Sequence, residues 1–410
     1  EFNLTSSGDN VGGSAFVSAI SDDKYTLEAL NEMGMKVTAV GNHEFDKGTE
    51  DLTGRIADSS DYPILGANVF KDGKPLLEAS HVEEIDGVKV GYVGTVTENT
   101  KYKVSAAKIP GITFTNPAEA TNKEATRLKE SGEADVVVAL MHEDAQGFAE
   151  DFNKDVDVAF GGDTHVATKG EIEREGALPL QWAQGHEYGK LLNDVDITFD
   201  KTAKKITDIS LKQYDATAAA KVEPDAEIAA IVKKAQQEAD IEGAKTAGTV
   251  ERALFRGSDE NADSGSNRGV ESTLNNFIAD GQRYAMSKQV GEDIEIGVMN
   301  AGGVRADLKG GDVTYKDIFE VQPFGNSVIT AKISGEEFIN ALENQWQEGS
   351  RPRLAMGLSN NVQVVYDQKA NKGERVKFVT INGEQIDPKK DYSIALSSFL
   401  ASSAVSYTHL

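Results

Sequence analysis

The chain has 410 residues, with 67 acidic against 42 basic side chains for a net charge of −25, 39% hydrophobic residues and no cysteine. Its length supports two domains with separate cores. The charge opposes binding to nucleic-acid polymers and to anionic membrane surfaces, and the lack of cysteine excludes disulfides, thiolate metal sites and cysteine nucleophiles. No apolar run approaches the roughly 20 residues needed to cross a bilayer, so no membrane span is expected in the chain.

In chain order, Ser6-Ser7-Gly8-Asp9 places a carboxylate near the start. The strand-like run 35–40 ends in Gly41-Asn42-His43-Glu44-Phe45-Asp46, a metal-capable amide, an imidazole and carboxylates at the carboxyl end of a β run. That edge is where α/β proteins set reactive groups, although a loop histidine with satisfied hydrogen bonds explains one such string equally well. Further β-like runs cover 62–68, 88–94 and 191–199. Between them, 116–129 is a predicted helix with Pro117 just inside its start. The β-branched run 136–141 ends in His142-Glu143-Asp144, and 156–160 leads into Gly161-Gly162-Asp163-Thr164-His165. Three of the six histidines, His43, His142 and His165, thus stand at strand ends, and the alternation of elements predicts a layered α/β fold.

Between about 221 and 247, Ile228, Ile231, Val232 and Ala235 recur at helical spacing, which predicts a linking helix with a solvated charged face. Residues 257–266 read as a polar surface loop. A second domain opens near 248 with a strand at 247–250, and Asn382-Gly383 between the apolar-alternating runs of 376–386 predicts a hairpin. After the apolar run 296–299 comes Asn300-Ala301-Gly302-Gly303-Val304-Arg305. Glycines there admit a ligand to the backbone, and a guanidinium grips phosphate in a bidentate manner. No internal repeat is present.

The first-domain strings together resemble the calcineurin-like metallophosphatases, and specifically the bacterial 5′-nucleotidase family with its UDP-sugar hydrolases and 2′,3′-cyclic-nucleotide phosphodiesterases. By that resemblance Asp9 bridges two divalent metal ions, Asn42, His142 and Asp163 bind one of them, and His165 binds the other. His43 stabilises the transferring phosphoryl group and protonates the leaving group, and Asp46 orients it; a turn or capping aspartate is the other reading of Asp46. Relatives carry histidine where this chain has Asp163, an exchange that favours harder cations, Mn²⁺ or Mg²⁺ over Zn²⁺, within a choice of Mn, Zn, Mg or Ca. The family's Asp-x-His on a first strand does not precede Gly8-Asp9, so the chain is expected to be truncated there and the second ion to keep only Asp9 and His165 from the protein. The last seven residues resemble translated adapter sequence, which sets His409 aside as a ligand.

Asn300 to Arg305 resembles the family's Asn-x-Gly-Gly-x-Arg. Pro323-Phe324-Gly325-Asn326 resembles its Pro-Phe-x-Asn, and the stretch from Arg268 to Asp280 its Arg-x-x-Glu-x-x-x-x-Asn-x-Ile-x-Asp. The resemblance implies that Arg268 and Arg305 hold phosphate beside Gly302 and Gly303, that Asn300 bonds nucleoside polar groups, and that Phe324 and Phe399 sandwich the base. Core packing is the other reading of the two phenylalanines, and a surface ion pair that of Arg268. The implied fold is a four-layer α-β-β-α sandwich over 1–215, a linker helix over 216–247, a mixed α+β 5′-nucleotidase C-terminal domain over 248–403, and a non-native tail at 404–410. The implied activity is hydrolysis of nucleoside 5′-monophosphates in an extracellular or cell-wall setting, with small nucleotides as partners. Cyclic-nucleotide and UDP-sugar hydrolysis stay open, as does a catalytically inactive nucleotide-binding surface protein.

Overall fold

The structure, a computed structural model, describes residues 2–257, 267–324, 326–347 and 353–402. The expected loop beyond Gly257, Gly325 of the Pro-Phe string and the expected tail at 404–410 lie outside the described residues. The chain divides into two compact units. One comprises the residues up to Gly12 with Ser21–Gln236, and the other Gly13–Ile20 with the residues from Gln237 onward.

In the first unit, β1 (Leu4–Ser6), β2 (Met35–Ala39) and β3 (Ile64–Leu65) form a small parallel sheet. A larger sheet contains β4 (Ser80–Ile85), β5 (Val88–Val96), β6 (Val136–His142), β7 (Val158–Gly161), β8 (Ala167–Ile172) and β9 (Leu180–Gly185), in the order β8-β9-β7-β6-β5-β4. Its four central strands run parallel and its two edges antiparallel. Every residue of β6 is buried, as the unbroken apolar run Val-Val-Val-Ala-Leu-Met requires of a strand covered on both faces. Val37, Ala39 and Leu65 of the small sheet meet Val90, Val138 and Val158 of the large one, giving an inter-sheet core. The other face of the large sheet buries Val93, Val137 and Met141 against Ala118, Ala125 and Leu128 of α1 (Pro117–Ser131). Asn116 caps α1 by accepting from the Glu119 N–H, and Gly132 closes it at φ 70°, the left-handed stop expected of glycine. A long hairpin, β10 (Leu191–Asp200) with β11 (Lys205–Asp215), packs Val195, Ile197 and Phe199 onto the inter-sheet core.

The expected linking helix is α2 (Ala226–Gly243), and the unit boundary falls within it. In the second unit, α3 (Thr273–Val290) lies on a four-stranded sheet that includes β12 (Ile296–Met299) and β13 (Asp391–Ser397). Ile296, Val298, Phe338, Leu342, Ile394 and Leu396 lie in its main core. The Asn382-Gly383 hairpin forms, with both turn residues at positive φ, 54° and 82°, as a tight two-residue turn demands. Gly13–Ile20 contributes Phe16, which is 3% exposed and packs edge-on to Phe319 at 5.2 Å and Tyr315 at 6.0 Å between ring centroids. The sequence boundaries assign this segment to the first domain; in the structure it packs with the second unit. The strand expected over 62–68 shrinks to Ile64–Leu65, which is β3.

Candidate metal centre and phosphate cradle

Because β1 and β2 are parallel neighbours, the loops after them leave the same sheet edge. They can touch only because glycines stand at the crossing: a Cβ on Gly41 would lie 2.1 Å from Asp9 Oδ1, and Gly8 adopts φ 95°. Asp9 itself is left-handed, at φ 56°. Glu44, 2% exposed, binds this crossing together. Its carboxylate accepts the N–H groups of Gly41 at 2.6 Å, Asn10 at 2.7 Å and Asp9 at 3.0 Å. Burial pushes the Glu44 carboxyl up to about 7, the Asp9 charge adds to the rise, and His142 and the donated N–H groups oppose it.

Four donors converge beside this crossing. His142, at the end of β6, donates from Nδ1 to the Ser7 carbonyl at 2.8 Å, which leaves Nε2 pointing 3.0 Å from Asp9 Oδ2 and 3.6 Å from Asp163 Oδ1. The inward end of the Asn42 amide lies 3.1 Å from Asp163 Oδ1 and 3.3 Å from His142 Nε2. With its NH₂ inward the amide donates to Asp163; with its oxygen inward it adds another acceptor, available to a cation. Metal–donor bonds of about 2.1 Å imply donor–donor edges of about 3.0–3.4 Å, the spacing these atoms approach. Asp9, Asn42, His142 and Asp163 therefore fit one divalent cation. No three His, Asp or Glu side chains form a metal nest by themselves among the described residues; the amide completes this one, and the Lys103 ammonium spans the Asp163 carboxylate. Burial alone would lower His142, but Asp9 above all, with Asp163, raises it to about 9. Burial alone would raise Asp9, but the His142 and His43 charges hold it well below the usual carboxylate range.

His43 Nδ1 lies 2.7 Å from Asp46 Oδ2, so the structure brings this expected pair together. Burial opposes the imidazolium, yet Asp9 and then Asp46 raise His43 to about 10. His165, expected to hold the second ion with Asp9, has a different partner in the structure. Its Nδ1 sits 2.6 Å from Glu187 Oε2, its ring packs against Tyr188 at 5.8 Å, and its side chain is 43% exposed. An acidic partner and an aromatic neighbour hold the ring there, away from the ion pairs that join His142 to Asp9 and Asp163.

In the second unit, the turn after β12 carries Asn300, 5% exposed, and the two glycines. A Cβ on Gly302 would stand 3.2 Å from Arg268 Nη1, so glycine lets that guanidinium lie against the turn. Arg305 donates from Nη1 to the Gly302 carbonyl at 3.3 Å, and its guanidinium lies 5.6 Å from the centre of the Phe324 ring. Phe324 and Phe399 are half-buried. Three residues escaped the sequence reading. Glu44 lies inside the string already singled out, but its partners are backbone groups. Lys103 carries no local signal at all. Arg256 donates to the Arg305 carbonyl at 2.9 Å and pairs with Asp307, fixing the backbone that carries Arg305; an arginine beside a turn is its only trace in the sequence.

The family description of the calcineurin-like phosphoesterases matches residues 4–167, and that of the 5′-nucleotidase C-terminal domain matches residues 246–410. The chain is 30% identical to Endonuclease YhcR of Bacillus subtilis (strain 168) over 422 residues, covering 97% of this chain and 32% of that protein. It is 28% identical to Cell wall protein Lmo0130 of Listeria monocytogenes, over 96% of this chain and 55% of that protein. The chain thus spans about a third to a half of these curated relatives. Among solved structures, a 5′-nucleotidase precursor from Thermus thermophilus superposes with a TM-score of 0.75 at 21% identity, covering all of this chain and 83% of that one, a likeness of fold.

Proposed function

Because this chain belongs to the family that joins a calcineurin-like phosphoesterase domain to a 5′-nucleotidase C-terminal domain, we propose that it hydrolyses nucleoside 5′-monophosphates to nucleoside and phosphate. The observation that carries the reading is the convergence of Asp9, Asn42, His142 and Asp163 beside the His43–Asp46 pair. Those four side chains would hold a divalent ion, which when bound polarises a phosphoryl oxygen and acidifies water. With Nδ1 engaged by Asp46, His43 keeps Nε2 free to donate to a phosphoryl oxygen and to protonate the departing alkoxide. Arg268 and Arg305 would neutralise the ester's phosphate, with Arg256 keeping Arg305 in position. Phe324 and Phe399 would stack on the base, an interaction worth about 1–3 kcal/mol per base and tolerant of base identity. The net charge of −25 supports small esters over long polyanions. An extracellular or cell-wall setting is supported by the name of the Listeria relative; among the described residues no helix is long and apolar enough to cross a membrane.

Phosphate release from AMP, UDP-glucose and 2′,3′-cyclic AMP in Mn²⁺ tests the proposal. AMP is expected to turn over fastest, and turnover confined to non-nucleotide esters overturns it. His43→Ala should lower turnover by about 10²-fold or more while leaving bound Mn²⁺ near the wild-type level. Asp9→Ala should lose the metal, and equal metal loss from both variants contradicts these roles. One observation favours a second reading, nucleotide binding without turnover: His165 is paired with Glu187 rather than with the other donors. Calorimetry that shows AMP binding in a protein with no metal-dependent turnover selects that reading.

A further inference from the structure

Lys103 has no part in the roles assigned so far, yet its ammonium reaches both oxygens of the Asp163 carboxylate. The Asp163 side chain is 10% exposed and that of Lys103 33%, so the pair is shielded from water on the carboxylate side. Both partners are held by their backbones. Asp163 sits at φ 64°, in the left-handed region that aspartate enters more readily than most residues. Lys103 ends the helical turn Thr100–Lys103. That turn is fixed by Thr100, whose hydroxyl donates to the Thr97 carbonyl at 2.7 Å, and by Thr97, whose N–H donates to the carbonyl of His142 at 3.0 Å. Both threonines are fully buried. The strand end that presents one metal donor therefore also anchors the turn that presents the lysine.

A carboxylate whose two oxygens both face an ammonium has that charge to shed before it can serve a divalent ion. We propose that Lys103 is an internal competitor for Asp163: it takes the place of the divalent cation on that carboxylate and so sets how tightly this chain holds its ion. Removing the charge makes Asp163 a better metal donor, whereas keeping the charge in a different head group does not. This inference rests on the metal reading of the four donors.

The test is Mn²⁺ binding to the full, metal-stripped chain, measured by calorimetry and by the paramagnetic resonance signal of free Mn²⁺, with far-ultraviolet circular dichroism to verify folding. Lys103→Met, which keeps the length and removes the charge, is expected to bind Mn²⁺ about tenfold more tightly than wild type, the scale on which one close charge alters a carboxylate's affinity. Lys103→Gln should move the same way, and Lys103→Arg should stay near wild type. In an Asp163→Asn background the gain from Lys103→Met should vanish. Wild-type protein that binds Mn²⁺, with folded methionine and glutamine variants that bind it no more tightly, overturns the competitor role and leaves the metal site standing. If wild type and every variant take up no Mn²⁺, the metal reading itself falls and takes this inference with it.

Discussion

Glu44 shows how a residue can organise a site without meeting the substrate. Its single carboxylate closes three N–H groups from two loops, Asp9, Asn10 and Gly41. Leaving such groups buried without an acceptor costs about 1–3 kcal/mol each. Glu44→Ala is therefore expected to lower the stability of the first unit by about 3 kcal/mol or more and to loosen Asp9, measured by chemical denaturation and by Mn²⁺ uptake. The same residue predicts a pH dependence in the metal-free protein. Burial, with Asp9 adding to it, raises the folded pKa from 4.5 to about 7. The folded state then holds a proton that the unfolded state has lost, so this contribution to stability is complete below about 4.5 and disappears as the pH rises through about 7. In Glu44→Gln that part of the slope should be missing from denaturation curves taken between pH 5 and 8. At this scale the candidate donors could be read from the chain because Asn42, His142 and Asp163 end recognisable strands. The role of Glu44 could not, since two of its partners lie 35 and 34 positions away and are backbone groups that any residue type would supply. For His165 the strand-end position was legible, but nothing local announced Glu187 as its partner.

Among the elements, those with explicit start and stop chemistry were the most legible. Asn116, Pro117 and Gly132 frame α1 as their residue types suggest, and Asn382-Gly383 dictates its turn. By contrast, the run 62–68 is apolar and β-like, yet only Ile64 and Leu65 find ladder partners on β2. Strand length is set by the neighbour's length as much as by propensity, and β2 ends at Ala39. The cap gives a clean measurement. Asn116→Ala removes the acceptor for the Glu119 N–H and should destabilise the first unit by about 1 kcal/mol, read as an earlier denaturation midpoint with an unchanged slope. Asn116→Ser, which restores an acceptor, should recover most of the loss.

At the scale of the whole chain, composition and the linker pattern revealed two bodies, but a reading along the sequence could not show that Gly13–Ile20 packs with residues beyond Gln237. Phe16→Ala removes a buried ring with two aromatic neighbours. It should destabilise the second unit by about 3–5 kcal/mol, with hydrogen exchange accelerated around Tyr315 and Phe319 rather than near residue 16's own neighbours in the sequence. This packing also has a consequence for biosynthesis. Phe16 leaves the ribosome about three hundred residues ahead of Phe319, so at about 5–20 residues per second its ring waits roughly 15–60 s for its partners. For that interval the nascent chain displays a bare aromatic hook, a natural handle for chaperones and a place where synthesis is open to tangling with a neighbouring chain.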